Sequence, residues 1–259
     1  MNSLPEWKLP TGTSREVWNY VIDAEQALSY DQTLPRNPLL RYDLQFATRW
    51  FTSLGQLLDL GCGTGRLMVS FARRGFSAVG VDLSFEMFNV ALQKARQAGA
   101  HVGMVRANLV ELDCLRDTTF ECAACLFSTL GMIHGHAERR QALAHFYRVL
   151  KRGGRLVLHV HNRGFHVWTR AGRHWLIRDF FRHCLGHANR GDFTQPDLGG
   201  FALHHFTRRE IVHELRRAGF RILEVEPVSL RDDSRLRWPW CCSRWRAYGY
   251  LIAAERLST

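Results

Sequence analysis

The feature that most constrains this chain is a rhythm between residues 56 and 162, where short apolar runs alternate with helix-patterned segments. Leu57-Leu58-Asp59-Leu60 is an apolar run closed by glycines, and Leu67 to Ala72 carry the apolar part of the helix that follows. Ser77 to Val81 read as a second strand ending at Asp82, and Phe85 to Ala98 as a helix closed by Gly99. His101 to Ala107 and Cys122 to Phe127 supply two more strands. Ala137 to Leu150 are a helix stopped by Gly153-Gly154, and Arg155 to His161 a fifth strand. Repeated βα units of this length join parallel strands, so a parallel sheet with helices on both faces is expected.

The flanks break this rhythm. Residues 1–54 are amphipathic and predict a helical cap. Thr13-Ser14-Arg15-Glu16 offers a hydroxyl-capped start, Trp18, Val21 and Ile22 follow at helical spacing, and a second helix runs from Leu39 to Phe51 after Pro35 and Pro38. Residues 163–205 are rich in aromatic side chains, His, Arg and Gly, and read as an insertion lying over the sheet. Residues 206–259 open on Phe206-Thr207-Arg208-Arg209-Glu210, a capped helix start. Two late strands follow, Arg221–Val228 and Tyr248–Ala254. No linker separates these parts, so residues 55–162 form the core of one domain that the other segments complete.

Bulk properties narrow the function. The mixture of 46% hydrophobic and 23% charged residues is that of a globular chain. No apolar run reaches the roughly 18–20 residues that span a bilayer, and Met1 to Trp7 lack a signal-peptide pattern. The expectation is a cytoplasmic protein without a membrane span. Seven cysteines without regular spacing make no disulfide framework. Cys122 and Cys125 sit three apart on a strand and point to opposite faces, so no shared metal is expected. The net charge of +11 invites an anionic partner. It is diffuse, however: residues 1–50 hold 5 basic against 6 acidic, 51–162 hold 13 against 8, and 163–259 hold 17 against 10. Without a dense basic tail, this pattern argues against nucleic acid.

The chemistry concentrates at Asp59-Leu60-Gly61-Cys62-Gly63-Thr64-Gly65-Arg66, a strand-to-helix turn. Glycines let the backbone turn sharply and let a ligand approach closely. Dinucleotide-binding domains also have a Gly-rich first turn, but their fingerprint places a third glycine where Arg66 stands. Asp59, two residues before the first glycine, suits a cationic ligand better than a pyrophosphate, and Asp82 ends the second strand.

With these residues, positions 55–162 resemble the core of class I S-adenosylmethionine-dependent methyltransferases. The resemblance implies a seven-stranded, mostly parallel Rossmann-like sheet with an antiparallel last strand, and S-adenosylmethionine as cofactor. It places Asp59, Gly61, Cys62, Gly63 and Gly65 at the cofactor's amino acid moiety, Asp82 on the ribose hydroxyls and Leu83 on the adenine. Asn108-Leu109 stand where the family has an acid and an apolar residue near the adenine, with the Asn108 carbonyl left to accept from an exocyclic amine. Phe127-Ser128 close the fourth strand beneath the methionine end. Tyr30-Asp31 fits a pair found before the core, with Tyr30 facing the cofactor.

Methyl transfer from a sulfonium needs an in-line nucleophile and exclusion of water, and a base only where the acceptor must lose a proton. His161, at the end of the fifth strand beside His159, and His134, after the fourth, are the candidate bases. The aromatic and arginine side chains of the insertion suit an acidic or aromatic small-molecule acceptor, methylated at an O, N or C atom. The competing readings are an RNA methyltransferase, a non-catalytic cofactor-binding partner subunit, and an NAD-dependent reductase. The first lacks the Pro-rich fourth-strand motif of amino-group enzymes, and the last is disfavoured by the glycine spacing.

Overall fold

A computed structural model describes residues 4–33, 38–185, 190–194, 200–231 and 233–257; the side chains of residues 26, 30–33 and 183 lie outside that description. The apolar runs form strands β1 (Gln56–Leu60), β2 (Ser77–Asp82), β3 (Val102–Arg106), β4 (Phe120–Cys125) and β5 (Leu150–His161). Strands β8 (Phe220–Val228) and β9 (Gly249–Arg256) complete a seven-stranded sheet in the order β3-β2-β1-β4-β5-β9-β8. Strands β1 to β5 pair in parallel, and β9 runs antiparallel to both β5 and β8. β5 begins at Leu150, earlier than the spacing suggested, because Phe120 already pairs with Leu150 ahead of a bulge.

Period two sorts the sheet's side chains into two cores. Leu58, Ala123, Cys125 and Leu158 pack with Phe146 of α7 (His136–Val149) and Leu215 of α9 (Arg208–Arg217). Leu57, Cys122, Ala124 and Val157 pack on the other face with α3 (Pro38–Trp50), α4 (Arg66–Ala72) and α5 (Phe85–Gln97). Cys122 and Cys125 are therefore separated by the sheet itself, and both thiols are pushed up to about 12 by burial.

Among the described residues, the amino-terminal segment holds three α-helices rather than two. Ser14 caps α1 (Arg15–Val21) by accepting from Val17 N–H, and α1 stops before Asp23, whose carboxylate accepts from Glu25 N–H and starts α2 (Ala24–Thr33). Short polar side chains that bond their own backbone compete with helix continuation, which divides the expected stripe. α3 is anchored from beneath. Asp43 is fully buried, 3.4 Å from the Arg66 guanidinium and 2.8 Å from His159 Nδ1, the latter without the alignment of a linear hydrogen bond. Arg66 also donates to the Leu40 carbonyl, so the residue that breaks the dinucleotide spacing ties α3 to the start of α4.

Beyond β5, Arg163–Trp168 form a 3-10 turn and α8 covers Arg170–Cys184. β6 (Asp192–Thr194) and β7 (Ala202–His204) make a separate antiparallel hairpin. Phe201 and Leu203 pack with Val17 of α1, joined by Tyr20, Val21 and Met132, so this hairpin and the amino-terminal helix share one small core. His204 fastens the hairpin: Nδ1 lies 2.6 Å from Asp192 and Nε2 2.7 Å from Glu210. His204 draws both carboxylates below their usual range against the opposing effect of burial. Glu210 at the same time completes a capping box with Thr207.

Candidate functional site

A cleft opens at the carboxyl edges of β1, β2 and β3, beside the point where strand order reverses between β1 and β4, the place where open α/β sheets bind ligands. It encloses about 810 Å³ of empty space, part of it open to solvent. Gly61 and Gly63 form one wall. Gly61 has φ +73°, and a Cβ there would overlap Thr129 Cγ2, so only glycine lets β1 turn beneath the short helix α6 (Thr129–Met132). Gly63, at φ +50°, leaves open space where a side chain would stand, and its N–H donates to Asp82 Oδ2 at 2.8 Å.

Asp82 is the cleft's principal polar group. Its other oxygen accepts from Ser84 N–H at 2.9 Å, and the Leu83 N–H adds a third backbone donor. Burial raises its pKa, opposed by these backbone donors. Around it, Val17, Leu83, Met87 and Leu109 supply apolar walls, and Tyr20 stands among them with its hydroxyl pushed up to about 12 by burial and by the Asp82 charge. A carboxylate between apolar plates, beside a glycine turn with room for a ligand, fits a nucleoside with a compact polar tail.

The expected site residues fall into three groups. Gly61, Gly63, Asp82, Leu83, Asn108 and Leu109 line the cleft. Asp59, Cys62, Gly65, Phe127 and Ser128 do not appear among its lining residues. Asp59 is buried below the turn, accepts from Met68 N–H at 3.2 Å and has its pKa raised to about 7 by burial. Cys62 is buried, and a Cβ on Gly65 would crowd Met68 and Ala91. Phe127 and Ser128 hold left-handed backbone at φ +51° and +64°, an unusual conformation for residues with side chains. Ser128 Oγ accepts from His161 N–H and its own N–H donates to the His159 carbonyl, so this strained turn is bolted to β5. Tyr30 falls on α2, and its side chain lies outside the described residues.

Asn108 is held in place by neighbouring backbone, and the expectations for His134 and His161 change. The Asn108 carbonyl accepts from Val110 N–H at 3.1 Å and its amide donates to the Thr11 carbonyl at 2.8 Å, so the side chain fastens chain segments together. His134 does not line the cleft, and its backbone N–H instead donates to the Gly12 carbonyl. His161 is buried, with both ring nitrogens lacking a hydrogen-bond partner, and burial pulls its pKa down to about 3. At neutral pH it is an uncharged ring, too weakly basic for the base role expected of it.

The spacing also hid part of the lining. Residues 12–21 cross the cleft mouth, held by the Thr11 and Gly12 carbonyl bonds, and α1 turns Val17, Tyr20 and Val21 inward. These lie at i, i+3 and i+4, one position off the stripe of Trp18, Val21 and Ile22; Ile22 is exposed. Both registers are apolar, and only the hairpin packed on Phe201 and Leu203 decides between them.

His161 belongs to a histidine cluster. Its ring lies 5.3 Å from that of His205, and His205 Nδ1 is 3.0 Å from His166 Nε2, a contact in which one neutral ring donates to the other. Burial lowers His166 to about 4 and His205 well below its ordinary value. The folded state therefore keeps these rings neutral, while an unfolded chain protonates them below about pH 6.5. Their stabilisation is complete above that pH and is lost as pH falls toward the folded values. His161 and His205 each contribute a slope of up to about 1.4 kcal/mol per pH unit, with Asp59, raised to about 7, opposing by one proton. Denaturant titrations should show stability falling from pH 6.5 to 4.5, with a shallower fall in His161→Phe. Equal slopes for the two proteins would remove His161 from this account.

Comparison with known proteins agrees with the cleft. Residues 57–154 match the family model described as a methyltransferase domain. A protein of Geobacillus sp. (strain WCH70) named as a methyltransferase is 28% identical over 212 residues, covering 75% of this chain and 82% of its own length. The chain spans about half the length of several other curated methyltransferases that it matches. In structure it is similar to an S-adenosylmethionine-dependent methyltransferase of Methanosarcina mazei, with a TM-score of 0.66, 24% identity, and coverage of 82% of this chain and 97% of that one. The magnesium protoporphyrin IX methyltransferase of Synechocystis with bound S-adenosylhomocysteine aligns with a TM-score of 0.56 at 18% identity, over 84% of this chain and 82% of that one. Residues 57–154 thus carry a methyltransferase domain, on the fold of an S-adenosylmethionine-dependent methyltransferase. The first of these solved structures is of an S-adenosylmethionine-dependent enzyme, and the second holds S-adenosylhomocysteine.

Proposed function

We propose that the chain methylates an O, N or C atom of a small molecule held beneath the roof formed by α1 and the β6–β7 hairpin. The observation that carries this reading is the roof itself. Residues 11 and 12 are hydrogen-bonded across the cleft to Asn108 and His134, and Val17 is packed on Phe201 and Leu203. A covered cleft favours an acceptor that enters whole over one lying in an open groove. In this reading residues 1–54 are a cap on the core of 55–162, residues 163–205 contribute the roof's second half, and 206–259 complete the same domain.

S-adenosylmethionine supplies a methyl group already activated on a sulfonium sulfur, which departs as a neutral thioether. What remains for the protein is positioning and exclusion of water. Asp82 accepts from the ribose hydroxyls, Leu83, Met87 and Leu109 flank the adenine, and Gly61 and Gly63 admit the methionine end against bare backbone. Asp59 sets the turn from below by holding the first turn of α4. Phe127 and Ser128 fix the floor between β4 and β5, and Tyr30 completes the site from the cap. His161, neutral and buried, packs its ring between those of His205 and Tyr248 at the end of β5, while His134 fastens the roof through its backbone.

The test is turnover with S-adenosylmethionine carrying a labelled methyl group, offered in parallel a low-molecular-weight metabolite extract and total RNA. Label should appear in a small product. Label confined to RNA would sink the small-molecule reading.

A further inference from the structure

We propose that a second surface, formed by α8, the 163–168 turn and the connection between β8 and β9, docks on an anionic lipid bilayer. α8 turns Trp175, Leu176 and the buried Asp179 inward, yet its outer face is also apolar. Ile177, Phe180, Phe181 and Leu185 lie at i, i+3, i+4 and i+8, all exposed, with Leu185 77% accessible and still bonded to the Phe181 carbonyl as in a helix. A solvent-facing stripe at helical spacing has no part in the core, and large contiguous apolar surfaces mark sites of interaction.

The same surface continues into the β8–β9 connection. Trp168 Nε1 donates to the Trp245 carbonyl at 2.6 Å, and Gly164 lies so close to the Arg244 carbonyl that a Cβ would overlap it. Gly172 of α8 packs equally tightly on the His166 carbonyl, so the turn is wedged between helix and connection. The connection adds Trp238 and Trp240, the latter 83% exposed.

Charge selects the occupant. The one acid among residues 163–185 is Asp179, buried and ion-paired to Arg163, so the exposed charges of that stretch are the cations Arg170, Arg173, Arg178 and Arg182. Residues 228–246 add five arginines against two aspartates. Tryptophan beside arginine around an aliphatic stripe is the pattern of a helix lying in a membrane interface, where apolar side chains enter the acyl boundary and cations meet lipid phosphates. A second copy of the chain would bring cation against cation, and Ile177 and Leu185 offer no face on which nucleic acid bases stack. Among the described residues no helix is long and apolar enough to cross a membrane, so the contact is peripheral.

Co-sedimentation of the full chain with vesicles tests this. Binding to phosphatidylcholine vesicles containing about 30% phosphatidylglycerol should exceed binding to phosphatidylcholine alone by about tenfold, and high salt should weaken it. Tryptophan emission should shift to the blue on binding. The exposed double substitution Phe180→Ser/Phe181→Ser should lower partitioning at least about tenfold, with circular dichroism and S-adenosylmethionine binding unchanged. No vesicle binding, or equal binding to both lipid mixtures, overturns the proposal. So does single-stranded RNA bound without vesicle binding, or a dimer that the double substitution dissolves without any vesicle binding. The readout needs no turnover, so failure here is distinct from failure to find a small acceptor.

Discussion

Replacing Asp82 by alanine should weaken S-adenosylmethionine binding by about 100-fold, measured as Kd by calorimetry. The two carboxylate oxygens are aimed by the Gly63 and Ser84 N–H groups at the cleft, where ribose hydroxyls can donate to them. Hydrogen bonds to an ionised acceptor contribute about 1.5–3 kcal/mol each, so the loss of two, partly offset by relaxation of the turn, corresponds to roughly two decades. Asp82→Asn keeps one acceptor and should fall between. Because burial raises the Asp82 pKa and only the ionised form accepts at both oxygens, affinity should decline as pH falls through that value. A Kd within threefold of the parent protein for Asp82→Ala would refute the ribose assignment.

Removing Asp43 should have the largest effect on stability, about 3 kcal/mol in denaturant unfolding. Asp43 is fully buried under α3, with His159 and Arg66 as its charged or polar neighbours. Truncating one member of a buried polar group leaves the others desolvated without compensation, which costs more than the intact group contributes. Asp43→Ala therefore removes the carboxylate that lies 2.8 Å from the His159 ring and loosens the arginine that holds α3 to α4. Asp43→Asn retains shape and a donor–acceptor pair and should lose less. A loss below about 1 kcal/mol for Asp43→Ala would show that α3 is held by its apolar contacts alone.

Much of the molecule was legible from spacing. The apolar runs from Gln56 to His161 mark their own strands because a strand buried on both faces needs continuous apolar residues, whatever packs on it. The turn at Gly61 and Gly63 and the acid at Asp82 were legible for a similar reason: left-handed backbone and a strand-end carboxylate are local requirements. Where the sequence misled, it did so through residues whose role depends on distant partners. Asn108 lines the cleft, but the acceptor of its amide, the Thr11 carbonyl, lies 97 residues away in sequence. His161 has the composition of a base and the burial of a core residue.

Local pattern thus suffices for the parallel sheet and the glycine turn, since each follows from backbone conformation and hydrophobic period within about 30 residues, whereas the antiparallel last strand and the cofactor class were expected from the family resemblance. The roof over the cleft, the inward face of α1, the Asp43–His159 contact and the arginine-flanked outer face of α8 were decided by tertiary structure. Those features join segments separated by a hundred residues or more, or depend on which of two apolar faces finds a partner. Neither long-range contact nor burial is written in the period of a helix.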